Sequence, residues 1–382
     1  MALAEMRAAE SMGVAVAERM PADSTRLQSL NPFAVRGTSL SPNVLLAAKL
    51  VTLVFLIQGL WRLTAPYLPF IGFLDNLGSP QAFQHTLQAV WLLAAAGLFL
   101  NRFVQPSCGV LGGTILVAIL SSSAYFTNNL TFTALLLILI GLSDRATVST
   151  FIRAQLVVLY FWAGLNKLLD ENWRSGAFFE TWNSMQAYGG VYRTLASHLP
   201  SMLLSTVLSW VVIATELSLA VAFAIRRLVL AGILLLVVYH SSLLFLTGST
   251  FTMFWYALLA ACLALVEWPV HRPSVHYPAD GPLGRLTHLL RKLDLGQAFA
   301  WNREEGSKLR IVIGERVLSG RDALARVLLY HPTLYFIFFA VAAVHRADVH
   351  RCAALIAIAV AGYAAFELVR TKLLPWLRPV AT

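Results

Sequence analysis

Apolar residues fall in long blocks along this chain, not in the alternation of a strand or the one-sided stripe of a soluble helix. Apolar runs occupy about 44–63, 85–101, 108–126, 130–143, 151–169, 202–224, 228–247, 251–269, 332–346 and 352–375. Most approach the roughly 17–25 residues that one bilayer crossing takes as a helix. Backbone groups inside lipid have no water to bond, so such runs must be helical. The pattern predicts an all-α polytopic membrane protein, with about eight transmembrane helices over 41–270 and about two further membrane helices in 332–382. The runs at 130–143 and 332–346 are short and call for tilt, re-entry or extension by their flanks.

Residues 271–331 break this pattern. They carry Arg272, Arg285, Arg291, Lys292, Arg303, Lys308, Arg310, Arg316, Arg321 and Arg326, with prolines at 273, 278 and 282. Arg285–Leu293 places Leu286, Leu289, Leu290 and Leu293 at helical spacing; Leu309–Ile313 reads as a strand entering a turn at Gly314, and Asp322–Leu329 as a helix. The segment is a basic, small α+β insert on the cytoplasmic face.

Charge in the short loops sets orientation. Arg26, Arg36 and Lys49 precede or open the first run, Arg102 follows the second, and Arg145 and Arg153 lie between the fourth and fifth. Arg226 and Arg227 sit between the sixth and seventh. All fall on one side, which is the cytoplasm. The opposite side holds Tyr67, Asp75, Asn128, Asn129 and a long loop, 170–201, with Trp173, Trp182 and Tyr188 suited to an interfacial belt. Both termini are expected in the cytoplasm, and the cell (inner) membrane is the expected location. Residues 1–40 read as a cytoplasmic tail. Glu5, Glu10 and Glu18 interrupt what would have to be the apolar core of a signal peptide.

Composition sharpens the class. The chain is 58% hydrophobic and 13% charged, against about a quarter charged in soluble domains. Its net charge of +10 comes mainly from residues between the apolar runs, not from a basic face interleaved with aromatics. The bilayer is therefore the expected partner and nucleic acid is not. Cys108, Cys262 and Cys352 lie within or beside apolar runs without paired spacing, so they read as small buried hydrophobes.

An ionisable residue within a span is costly and marks a candidate site. The richest segment is Gln155–Lys167, where Tyr160, Gly164 and Lys167 share one helix face. Gly164 allows a ligand or another backbone to come close. Lys167 lies near the outer end. A lysine shielded from water can act as a base near neutrality; the plainer reading is a side chain that reaches the interface and anchors its helix. Glu216 lies deep in the sixth run and requires a partner or a proton. His240 lies about two-thirds along the seventh, beside Tyr239, Ser241 and Ser242; its plainer reading is a hydrogen-bonded packing residue. Lys167, Glu216 and His240 come from three successive spans. Their spacing matches no metal site, and no metal is expected.

Tyr160-Phe161-Trp162-Ala163-Gly164-Leu165-Asn166-Lys167, followed by Trp173 and Gly176, resembles the signature of the horizontally transferred transmembrane (HTTM) family, related to vitamin K-dependent gamma-carboxylase. Tyr239-His240 through Phe251, ending near Trp268, resembles that family's later histidine-containing span. The resemblance covers roughly 40–270. It implies that Lys167 stands where the carboxylase has its base, the second of two adjacent lysines, with Asn166 in place of the first. It also implies a membrane cavity for a quinone-like ligand, with Tyr160, Gly164, Asn166 and Trp173 as ligand-binding residues and His240 and Glu216 beside the base. The carboxylase carries a large lumenal domain for its protein substrate, and no outer loop here is large enough for one.

Tyr277-Pro278-Ala279-Asp280-Gly281-Pro282-Leu283-Gly284 resembles the opening Y-D-G-x-C-x-x-C of DCC-type thiol–disulfide oxidoreductase-like proteins, with glycine at both cysteine positions. Gly320-Arg321-Asp322-Ala323 resembles their closing helix start. Without thiolates, thiol exchange is lost, and the resemblance implies a redox-dead segment kept for packing or partner binding.

Two readings stand side by side: a membrane enzyme acting on a lipid-soluble small molecule with Lys167 as base, and a non-catalytic binding, scaffold or immunity-type protein using the same cavity. A transporter is disfavoured, since the sequence has no internal repeat and no paired broken spans.

Overall fold

The computed structural model describes residues 31–62, 80–121, 127–144, 147–185, 190–247, 252–304 and 308–344. The predicted run 352–375, Arg26, Tyr67, Asp75, Arg145, Tyr188 and Cys352 lie outside the described residues.

Eight apolar helices fill the first eight runs: α1 (Pro42–Ile57), α2 (Pro80–Phe99), α3 (Val104–Ser121), α4 (Asn128–Leu142), α5 (Val148–Leu169), α9 (Leu203–Ala224), α10 (Val229–Thr247) and α11 (Thr252–Leu265). Local chemistry sets several ends. Pro42 opens α1 after Ser41, where its missing N–H costs nothing. The Thr127 hydroxyl accepts from the Leu130 N–H at the start of α4. Between α5 and α9, where the sequence suggested one long loop, lie α6 (Glu171–Arg174), α7 (Ala177–Met185) and α8 (Gly190–Ala196).

Five helices are long and apolar enough to cross a bilayer: Gln81–Phe99, Val104–Ser121, Val148–Leu169, Leu203–Ala224 and Arg226–Leu243. A sixth counts if the bent pair Gly320–Leu329 and Pro332–Val344, meeting at 58°, is taken as one. Helices α1, α4 and α11 are apolar but shorter. The outward side chains of the long helices include Leu93, Val158, Phe161, Trp162, Trp210 and Val221, all exposed. Such a surface suits lipid and not water. The protein is a polytopic, all-α integral membrane protein bearing a small mixed α/β insert.

Helices α5 and α9 run antiparallel. Tyr160 of α5 stacks on Phe223 of α9, while Gly164 lies against Leu217 and Lys167 against Glu216. One end of the bundle is knitted by polar groups. The Asn43 amide at the start of α1 donates to the carbonyls of Ala264 (2.7 Å) and Val266 (2.9 Å) at the end of α11. Gln105 of α3 donates to the Ser143 carbonyl after α4. Lys49 of α1, expected as an orienting charge, is fully buried and donates to the carbonyls of Pro32 (2.8 Å), Ala34 (2.8 Å) and Phe99 (3.2 Å). The last of these is a helix C-terminus, where a cation is favoured.

The insert docks at this same end. Strands β1 (Ser274–Pro278) and β2 (Ala300–Glu304) pair in parallel across α12 (Gly281–Leu293), and β3 (Arg310–Ile313) and β4 (Arg316–Ser319) form a hairpin followed by α13 (Gly320–Leu329). The sheet order is β2-β1-β3-β4. Val275, Tyr277, Phe299, Leu309, Ile311, Ala323 and Val327 form its core. The Asp294 carboxylate closes α12 by accepting from the Ala298 N–H (2.8 Å), the Phe299 N–H (3.1 Å) and Trp301 Nε1 (2.9 Å). Helix α14 (Pro332–Val344) returns to the bundle, with Phe336 edge-on to Phe33. Arg36 fastens the linker by donating to the carbonyls of Pro269 (3.0 Å) and Val270 (2.7 Å). Burial, and then the nearby Arg272 charge, lower the Arg36 guanidinium to about 10, with Asp294 acting in the opposite sense.

Candidate functional site

At the opposite end of the bundle, α5, α9, α10 and α11 surround a cavity of about 360 Å³. Its size falls in the range of small-molecule sites. Its wall is aromatic and aliphatic, with polar groups gathered on one side. Helices α6 and α7 form its roof, where Trp173 stacks on Phe178 at 4.5 Å and Phe179 meets Trp182 at 6.5 Å. The roof is tied down by Thr206 of α9, whose hydroxyl donates to the Ser175 carbonyl at 2.8 Å.

Lys167, Glu216 and His240 all line this one cavity, as do Tyr160 and Trp173. Lys167 Nζ donates to both Glu216 oxygens, at 3.0 and 2.8 Å. It also lies 5.0 Å from the centre of the Trp173 ring, a cation–π distance. The lysine therefore turns inward and does not reach out to the interface. Its side chain keeps 19% of its surface exposed, against 9% for Glu216, so the ion pair borders the hollow. The Tyr239 hydroxyl donates to Glu216 Oε1 at 3.1 Å. Deeper in, the Tyr160 hydroxyl and His240 Nε2 share a hydrogen bond of 2.7 Å, with both side chains buried. One wall thus carries a cation, a carboxylate, two phenols and an imidazole.

Two residues expected to bind ligand, Gly164 and Asn166, are not among those lining this cavity. Gly164 faces α9: a β-carbon there would stand 2.9 Å from the Leu217 side chain and 3.2 Å from its backbone nitrogen. The glycine brings two helices together, and that contact carries Lys167 to Glu216. Asn166 lies one position round the helix, exposed and away from the cavity. In the same motif Phe161 and Trp162 point outward.

The structure brings in several residues that carry little signal in the sequence. Tyr239 was noted only as a neighbour of His240. Asn128 and Trp182, read as loop and interfacial residues, line the cavity, as do Phe178, Phe179 and Phe254. Tyr239 alone had a usable signal, a phenol inside a span. The roof aromatics depend on how α6 and α7 fold back. Among the described residues, no group of three or more His, Cys, Asp or Glu gathers as a metal site would require.

Chemically, the wall can hold a proton, pass it and stabilise an anion, while the aromatic side can hold a flat apolar ring. Compared with protein-family models, curated proteins and solved structures, the chain matches none of them.

Proposed function

We propose that this protein is of HTTM type and acts on a lipid-soluble, quinone-like molecule in the roofed cavity, with Lys167 as the base. The observation that carries the reading is the Lys167–Glu216 ion pair, 2.8 Å long, at the edge of an aromatic hollow. A charge pair there is expensive to desolvate and exceeds what packing needs.

In this reading the ring lies among Trp173, Phe178 and Phe254 with an acidic hydroxyl towards Lys167. The ammonium proton passes to Glu216, leaving a neutral amine and a neutral acid. The amine then takes the proton from the ligand hydroxyl, and the re-formed ammonium holds the ligand anion. Tyr239 keeps Glu216 oriented, and the Tyr160–His240 pair forms the floor. The test is proton abstraction from an added hydroquinone by the purified protein. Lys167→Ala should abolish it, while Lys308→Ala, on an exposed lysine of the insert, should retain it. Unchanged abstraction by Lys167→Ala refutes the base assignment.

A second reading is favoured by the engagement of both Glu216 oxygens with the ammonium, which makes Lys167 a donor as it stands. Here the cavity binds a lipid, toxin or partner without chemistry, and Lys167→Ala keeps ligand binding.

We place the insert end in the cytoplasm of the cell (inner) membrane, with both termini there, because Arg102, Arg226 and Arg227 cluster at that end. All eight apolar helices then cross, the shorter three using tilt and flanks. The insert's parallel β1-α12-β2 unit is the setting in which a C-x-x-C motif opens the helix, which supports the DCC-type resemblance. Its redox chemistry is absent by construction. Gly281 takes φ +83°, and a β-carbon at 284 would stand 2.8 Å from the Pro278 carbonyl oxygen.

A further inference from the structure

Helix α12 buries Gly284, Thr287 and Leu290 on the sheet and leaves its other side open. Two rows run along that open side. Leu286, Leu289 and Leu293 form one, with Leu286 40% and Leu289 52% exposed; Leu295, just past the helix, is 46% exposed. Arg285, His288 and Lys292, all exposed, form the other at the same helical spacing. No acidic residue occurs in Gly281–Leu293. Arg291, between the rows and the sheet, is engaged with the Tyr277 hydroxyl at 2.9 Å.

Leucines beside a basic row, with no acid among them, are the composition of a helix lying in a headgroup layer. The position of the helix agrees. The Leu295 carbonyl accepts from Asn31 Nδ2 at 2.6 Å, and the Asn31 carbonyl accepts from Asn101 Nδ2 at 3.3 Å, just beyond the end of α2. The leucine row therefore ends at the level where a span leaves the bilayer. The insert is also held at both of its chain ends by α11 and α14, so it cannot leave that surface.

We propose that the open face of α12 docks on anionic lipid headgroups of the membrane that the bundle crosses, leucines between the lipids and Arg285 and Lys292 on their phosphates. This gives the insert a further anchor besides Arg36, the Asn31–Leu295 bond and the chain itself. The claim is independent of the cavity and its chemistry.

The experiment uses the full chain in lipid nanodiscs of phosphatidylcholine alone or mixed with phosphatidylserine. Uncharged N-hydroxysuccinimidyl acetate acetylates accessible lysines, and mass spectrometry follows Lys292 and Lys308 in the same molecules. In the anionic discs Lys292 should react roughly tenfold more slowly than in the neutral ones, the effect expected from one or two basic contacts with an anionic surface. Lys308 should react alike in both, which also reports that the insert stays folded. Leu286→Glu with Leu289→Glu should remove the difference at Lys292. Equal Lys292 rates in the two discs overturn the proposal and leave the face to a soluble acidic protein. Equal protection in both discs also overturns it, since the covering surface would then not be anionic lipid.

Discussion

Two lysines on apolar helices, Lys49 and Lys167, show how differently one side chain is used at the two ends of the bundle. Lys49 is fully enclosed and spends its three N–H donors on backbone carbonyls, pinning the segment before α1 to the end of α2. No carboxylate faces it in any of these bonds. Lys167 meets a carboxylate, an aromatic face and a hollow, and keeps part of its surface open. The first arrangement is complete as it stands, with every donor of a fully buried ammonium engaged. The second has an open side. Burial of a lysine alone thus says little about chemistry; what borders the ammonium decides.

The sharpest way to break this contrast is to remove the counter-charge. Glu216→Gln leaves the Lys167 ammonium without its carboxylate and should destabilise the protein by about 3 kcal/mol, seen as a lower unfolding midpoint in detergent. The double variant Lys167→Met with Glu216→Leu should recover most of that loss, because a well-packed apolar pair replaces an ion pair at little cost. It should at the same time lose the ligand chemistry. If the single and double variants are equally unstable, the pair is scaffolding. Lys49→Met comes next: three carbonyls lose their donor, at about 2 kcal/mol in total given partial relaxation, and ligand binding at the far cavity should be unchanged. A binding defect in Lys49→Met would mean that the two ends are coupled.

The sequence made much of this legible because lipid forces a simple pattern on it. The eight apolar runs before residue 270 reappear as α1–α5 and α9–α11, since each had to bury its backbone bonds within itself. Lys167, Glu216 and His240 stood out because charge in such runs is rare. Their meeting in one cavity was not legible, for it depends on Gly164 drawing α9 close, a tertiary fact. Lys49, expected as an orienting charge at the opening of the first run, lies within α1, and its head does reach the end of the bundle, but under cover. In the insert, α12 begins at Gly281, earlier than the expected Arg285, since Pro282 suits a first turn instead of breaking it. Strand β2, Ala-Trp-Asn-Arg-Glu, lacks alternation because its pairing to β1 and the Asp294 turn hold it, not a buried face.

Gly164 offers a finer test of the cavity end. Gly164→Ala places a methyl group 2.9 Å from Leu217 and should cost about 1–3 kcal/mol as α5 and α9 separate. The same separation lengthens the Lys167–Glu216 contact, so proton abstraction should fall even though neither charged residue has changed. Crosslinking between engineered cysteines on α5 and α9 would report the separation directly. Full activity at reduced stability would detach the glycine from the site.

The smallest effect belongs to the insert's edge, where charge is used in water and not beside a hollow. Glu304 accepts from Arg310 Nη2 at 2.6 Å and lies 2.5 Å from His276 Nδ1, joining β1, β2 and β3. The His276 hydrogen bond first, and Arg310 next, hold the Glu304 carboxyl below its ordinary value of 4.5. A carboxyl lowered on folding stabilises the fold above its unfolded value, and the contribution fades as pH falls through the lowered one. As pH falls below 4.5, therefore, the protection of amides in the β1–β2 pair, taken against their intrinsic exchange at each pH, should drop more steeply in the parent than in Glu304→Gln, which has no carboxyl to protonate. Solvent around the pair keeps this difference slight, and raised salt should shrink it further, whereas the Lys167–Glu216 pair, largely buried at the edge of the hollow, should respond less to salt.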